Sequence, residues 1–228
     1  MASSPHVGTL RERPLHAALK AWYAGAGDGI EVPVDGFVID IVRGDLLIEI
    51  QTRSFSSIKR KLTTLLEDHP VRLVHPIAVE KWIVKPDPEG GPAQRRKSPR
   101  KGSTLDLFAE LVSFPDLVAH PNLTVDVVLI RAEEEWRHDG SRGWRRRGWV
   151  VEERRLLEVL EVTSIDTPDD LLAFLPPDLP DRFTTADLAT TMRSTRRLAQ
   201  QTAYCLRHAG CITKVDQQGN AMVYAIAS

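Results

Sequence analysis

The chain has 228 residues, 42% of them hydrophobic, which allows one large domain or two small ones around a packed core. Its formal net charge of -1 excludes a globally basic nucleic-acid binder, so any basic surface must be local. Cys205 and Cys211 show no paired spacing, which fits a reducing compartment and excludes a cysteine-based zinc site.

Residues 1–8, MASSPHVG, read as a loose tail without the apolar core of a signal peptide, and no apolar run reaches membrane-spanning length, so a cytoplasmic protein with no membrane partner is expected. A helix is expected from Leu10 to Tyr23, with Leu15, Leu19 and Trp22 on its apolar face. Thr9 and Glu12 have capping-box spacing, and Pro14 is tolerated in the first turn. His16 reads as a surface or packing residue. Residues 24–29 form a connector, and Ile30 to Val32 a short strand carrying Glu31.

The stretch from Val34 to Arg53, VDGFVIDIVRGDLLIEIQTR, is the most informative in the chain. Phe37, Ile39 and Ile41 alternate with other residues, a second apolar run starts at Leu47, and Arg43-Gly44-Asp45 is the turn of a hairpin. Alternation puts Glu49 and Gln51 on one face, and a turn at Gly44 sets Asp40 across from Glu49. Two carboxylates this close repel unless a proton or cation lies between them. Hard divalent cations take oxygen donors of this kind.

Asp40, followed after eight residues by Glu49-Ile50-Gln51, resembles the active-site core of the PD-(D/E)xK nuclease superfamily, in its variant with Gln in place of Lys. The flanking order also resembles that superfamily's α-β-β-α-β core: a helix before the hairpin, a helix from Phe55 to Asp68 after it, then strands Val71–Ile77 and Ala78–Val84. The resemblance implies a restriction-endonuclease-like mixed sheet flanked by helices. It further implies Mg²⁺ or Mn²⁺ held by Asp40 and Glu49, with the Ile50 carbonyl as a third donor and Glu12 as an outer ligand. Gln51 is neutral and can only hydrogen-bond, so either it orients a metal-bound water, or Lys59, Lys61 or Arg53 substitutes for the missing cation, or the site has lost activity.

Further along, Phe55, Ile58, Leu62, Leu65 and Leu66 share one helix face, and His69-Pro70 ends it. His75-Pro76 is expected to break the next strand in two, with His75 in a structural role. Residues 85–103 are rich in Pro, Gly and basic residues and read as a mobile loop. Its Arg95, Arg96, Lys97, Arg100 and Lys101 make either a phosphate-contacting arm or a soluble loop, and Ser98 and Ser103 are candidate modification sites. A helix over Thr104–Val112 and a buried strand over Leu123–Ile130 follow. A long hairpin then turns at His138-Asp139-Gly140, with Trp136, Trp144 and Trp149 among Arg145, Arg146 and Arg147. Such a ribbon either stacks on bases and holds phosphates or packs on its own side chains.

The last part of the chain reads as a short helix over Asp169–Leu175, a Thr-capped helix at Phe183–Leu188, a turn at Arg193-Ser194, and a third helix over Thr195–Ala209 stopped by Gly210. Two alternating strands close it around residues 216–220. This order resembles a winged-helix domain. In a DNA-reading winged helix the third helix enters the major groove, which implies roles for Arg196, Arg197, Gln200 and Gln201. The expected organisation is a nuclease-like domain over residues 1–162 and a winged-helix domain over 163–228. The expected function is metal-dependent hydrolysis of nucleic-acid phosphodiesters, of DNA before RNA, in restriction, defence or repair. The alternatives are a catalytically silent DNA-binding or regulatory protein, and a docking subunit using the winged helix for a homodimer or another protein.

Overall fold

The computed structural model describes residues 13–87, 91–139 and 148–227. Glu12, Trp144 and Arg145 to Arg147 lie outside the described residues. Helix α1, Pro14–Tyr23, begins on a proline whose fixed φ suits a first helical turn. Strand β1, Gly29–Val34, pairs antiparallel with β2, Phe37–Arg43, and β2 turns through Gly44-Asp45 into β3, Leu46–Ile50. Gly44 has φ 57, a left-handed conformation that glycine adopts without steric cost. The expected helix after the hairpin is a 3-10 turn, Phe55–Ser57, followed by α2, Lys59–Leu65.

Strand β4, Val71–Lys85, is unbroken, contrary to the expectation that His75-Pro76 would divide it. Val74 accepts a hydrogen bond from the Gln51 amide at 2.8 Å, so Pro76, two residues on, turns its missing N–H toward the same edge. Strand β3 has ended there, and no ladder bond is lost. The vacated edge explains a second correction. Within the expected loop of residues 85–103, β5, Gln94–Lys97, pairs antiparallel with the far end of β4. Between them, Ser98 N donates to Lys81 O at 2.7 Å and Gly102 N to Ala78 O at 3.0 Å. A Cβ on Gly102 would lie 2.8 Å from Ala78 O, so only glycine fits this approach.

A 3-10 turn, Thr104–Asp106, leads into α3, Leu107–Leu111. The long strands β6, Leu123–His138, and β7, Trp149–Ile165, complete the sheet. Its order is β1-β2-β3-β4-β6-β7, parallel at β3/β4 and β4/β6 and antiparallel elsewhere, with β5 beside β4. The result is a mixed sheet flanked by helices. Leu15 and Leu19 of α1 cover one face with Ile41, Ile48, Ile50, Val74 and Val128. On the other face, Leu62, Leu65, Phe108 and Leu111 bury Leu47, Leu73 and Val125. Asp126 of β6, 1% exposed, accepts from Tyr23 at 3.1 Å and Ser164 at 2.7 Å, which ties α1 to the β6/β7 pair.

A 3-10 turn, Pro168–Phe174, joins the C-terminal elements: β8, Phe183–Thr184; α4, Thr185–Thr191; α5, Arg196–His208; β9, Ile212–Gln218; and β10, Ala221–Ile226. Thr184 and Asp187 form a capping box on α4, and the Thr195 side chain accepts from Leu198 N at the start of α5. The three strands pair in the order β8-β10-β9. The core continues without interruption from Phe108 and Leu111 into Ala203, Cys205 and Leu206 of α5. No helix among the described residues is long and apolar enough to cross a membrane.

Candidate active site

Strands β2 and β3 are paired only from Ile41 with Ile48 to Arg43 with Leu46. One step further they part, and the two acids fill the gap. Ile50 N donates to Asp40 Oδ2 at 2.8 Å, and Asp40 N lies 3.4 Å from Glu49 Oε1. Each carboxylate thus takes the place of a missing main-chain acceptor. The expected juxtaposition of Asp40 and Glu49 is present.

Two nitrogen-bearing side chains from opposite faces complete the cluster. His16 Nε2 of α1 and Asp40 Oδ2 are hydrogen-bonded at 3.1 Å. Lys61 Nζ of α2 donates to Glu49 Oε1 and, at 2.6 Å, to Val38 O. The reading of His16 as a surface or packing residue is therefore corrected. The usable signal was its place three residues before Leu19, beside the inward stripe of α1. Lys61 is one of the cations the sequence offers in place of the absent Lys; Lys59 is exposed and takes no part in the cluster.

The cluster opens into a cavity of about 290 Å³ lined by His16, Asp40, Glu49, Gln51 and Lys61, with Arg13 and Arg53 at its rim. Burial pushes the Asp40 carboxyl up, but the His16 hydrogen bond and charge, the Ile50 amide and Lys61 outweigh it and hold the group below its ordinary value. Glu49 is 5% exposed, and its burial dominates. The Lys61 charge works against that burial and the Asp40 charge adds to it, leaving the Glu49 carboxyl pushed up to about 7.

Gln51 reaches the cavity, yet its amide nitrogen is engaged elsewhere. Nε2 donates to Ser54 O at 2.7 Å and to Ser57 Oγ at 2.8 Å, bracing the turn that leads to α2. His75 sits behind it, with Nδ1 and Gln51 O hydrogen-bonded at 3.0 Å, its ring edge-on to Phe55, and its pKa lowered by burial. Among the described residues no group of three or more His, Cys, Asp or Glu side chains is placed to hold a metal ion.

The other expected contact residues lie apart from this cavity. Arg95 pairs with Glu133 at 2.6 Å and Lys97 with Glu80 at 3.1 Å, and both sit over the Trp82 ring. Lys85 lies over the rings of Trp136 and Trp149, so the described part of the aromatic ribbon packs on its own cation. Arg96, Arg100 and Lys101 are exposed, while Ser98, expected as a modification site, is buried. Arg196 and Gln200 line a groove of about 560 Å³ between α5 and β10, joined by Tyr204 and Arg207, which the sequence reading missed. Arg197 and Gln201 are not among the lining residues.

With this geometry in place, comparison with known proteins adds a relationship. Residues 13–166 match the family described as "Domain of unknown function (DUF8091)", a span that holds the whole sheet and the Asp40/Glu49 cluster. The chain belongs to this family. A curated relative of the DUF8091 chain, described as an uncharacterized protein of Treponema pallidum (strain Nichols), is 30% identical over 219 residues, 96% of this chain and 86% of the relative. The likeness therefore extends beyond the DUF8091 span through the C-terminal elements. No solved structure matches.

Proposed function

We propose that this protein hydrolyses nucleic-acid phosphodiester bonds at the Asp40/Glu49 cluster with a divalent cation, on a restriction-endonuclease-like domain followed by a winged helix. The observation that carries the reading is the parting of β2 and β3, which turns two acids and one lysine into a single open cavity. The donor set suits Mg²⁺ or Mn²⁺: both carboxylates offer hard oxygens. Burial, with a smaller push from the Asp40 charge, raises the Glu49 pKa, and a divalent cation at this position would favour the ionised form. Asp40 and Glu49 would hold the ion, with the Ile50 carbonyl as a further donor. When bound, such an ion acidifies water and neutralises charge developing on phosphoryl oxygens.

The remaining work belongs to the side chains. Lys61, anchored on Glu49 and Val38 O, brings a positive charge to the cavity that would substitute for the absent motif Lys, while Gln51 braces the following turn. His16 fixes Asp40 in one orientation. The C-terminal order β8-α4-α5-β9-β10 and its three-stranded sheet support the winged-helix reading, and Arg196 and Gln200 in the α5 groove support DNA as the partner.

One observation favours the silent DNA-binding alternative: each acid already has a protein hydrogen-bond partner, His16 or Lys61, and Gln51 Nε2 is bonded to Ser54 O and Ser57 Oγ. The test is cleavage of pooled single- and double-stranded DNA and RNA with Mg²⁺ or Mn²⁺, wild type beside Glu49→Gln and Lys61→Met. Cleavage at least a hundredfold lower in both variants is expected. Equal cleavage by all three proteins would remove the cluster from the chemistry. Binding without cleavage by the wild type would establish the silent reading.

A further inference from the structure

The candidate active site is not a closed pit. Its wall at Thr52 is shared with a second cavity of about 160 Å³, which runs beneath Leu15 of α1 toward Lys81 of β4 and Arg154 of β7. At the far end lies Glu134 of β6, 3% exposed. Its Oε1 accepts from Lys81 Nζ at 3.1 Å and from Arg154 Nε at 3.1 Å, and its Oε2 accepts from Trp136 Nε1 at 3.1 Å.

A buried carboxylate with two cations and an indole on it is more than charge neutralisation requires. One carboxylate offsets one of the two cations, and one positive charge remains over the cavity. Both cations are held from below by a group that is itself fully bonded, which removes side-chain freedom before any ligand arrives. Neither Lys81 nor Arg154 has a part in the Asp40/Glu49 cluster. Leu15 lines this cavity while the next residue, His16, reaches Asp40, so the two sites lie on either side of Thr52 and the first turn of α1. An anion at this end is therefore not the one at the Asp40/Glu49 cluster.

We propose that Lys81 and Arg154, oriented by Glu134, form a subsite for a second phosphate of the same polynucleotide strand, beyond Thr52 from the position at Asp40 and Glu49. The inference rests on the nuclease reading and extends it: the substrate is a polynucleotide long enough to follow the cleft past Thr52, and mononucleotides or dinucleotides are poor ligands. Lys81 and Arg154 are cations suited to phosphate oxygens of a backbone.

The test is equilibrium binding of two labelled single-stranded DNAs in EDTA, one long enough to span both cavities and one dinucleotide. Removing Lys81 and Arg154 alone would strand a buried carboxylate, which destabilises a protein strongly. The principal variant is therefore the neutral triple substitution Glu134→Gln, Lys81→Gln and Arg154→Gln, with Arg154→Gln as the milder companion and thermal melting as the check on folding. Affinity for the long strand should fall at least tenfold in the triple variant, and the slope of log affinity against log salt should shrink by about 0.7 per lost phosphate contact. Dinucleotide binding should not change. Wild-type protein that cleaves when Mg²⁺ is supplied, with long-strand binding in EDTA equal in wild type and variants, would overturn the subsite and leave the nuclease reading standing. Wild-type protein that binds neither probe in EDTA and cleaves neither with Mg²⁺ would overturn both. If the triple variant does not fold, Arg154→Gln decides: a smaller loss of the same sign and a reduced slope support the subsite, and no change overturns it.

Discussion

Glu49 is the residue whose environment says most. Its carboxyl is pushed up to about 7 from an ordinary value of 4.5, so the folded protein holds this proton more tightly than the unfolded chain does. The stability gained from that proton is complete below pH 4.5 and lost as pH rises through about 7. Asp40 runs the other way: its carboxyl is held below 3.8, so its contribution is present above that pH and lost only in more acidic solution. Chemical denaturation across pH 4.5 to 7 should show unfolding free energy falling by up to about 3 kcal/mol, and Glu49→Gln should flatten that fall. A slope in this window that survives Glu49→Gln would have to come from another group. Much of this residue-level picture was legible in the chain. The turn at Gly44 and the alternation around it fix Asp40 opposite Glu49, because hairpin register is a local property. His16 and Lys61 were not legible in the same way, since both arrive on separate helices whose docking is decided by packing.

At the scale of elements, α1 is a lever arm for the site. Leu15 and Leu19 press it onto the sheet, and the same helix carries His16 to Asp40. Leu19→Ala should cost roughly 3 kcal/mol in denaturant unfolding through the cavity it leaves. The same variant should also move His16, read as a change in its imidazole NMR signal, while the α4 and α5 amide signals stay put. Unchanged His16 signals would mean that α1 is positioned by something other than this contact. The strands show where element reading fails. Pro76 signals a break in sequence, yet its missing N–H faces an edge from which β3 has already departed. Residues 94–97 look like basic loop, yet Trp82 offers a platform for Arg95 and Lys97, and the open β4 edge offers hydrogen bonds. In both cases a neighbouring strand decides the outcome, and no local pattern encodes that neighbour.

On the scale of the whole molecule, the elements after residue 166 are more than an appendage. Phe108 packs edge-on to Phe174 at 6.2 Å, Cys205 Sγ lies 3.6 Å from Phe108 O, and His208 pairs with Asp116 at 2.8 Å. A core shared this way should unfold as one unit, so calorimetry of the full chain is expected to show a single transition. A chain ending at residue 166 should bind a hydrophobic dye and lose solubility as Leu107, Phe108 and Leu111 are uncovered. Two separated transitions in the full chain, or a soluble and cooperatively folded fragment, would contradict the shared core. The capped helices and the closing pair of strands were readable because their signals are local: Thr184 with Asp187, Thr195, and Gly210. Their burial against α3 was not, because α3 is a single short turn whose Phe108 gives no hint of its partner.

The parting of β2 and β3 has a consequence for how this lineage can change. Asp40 and Glu49 stand in for main-chain acceptors, so the hairpin needs them whether or not any phosphodiester is ever cut. A descendant that abandoned chemistry would still be held to both acids by the demands of folding. Lys61 is held with them, because its loss strands the buried Glu49 carboxylate. Selection for stability would therefore preserve the whole cluster after activity had gone. A deep mutational scan scored once for folding and once for cleavage should find all three positions intolerant in both.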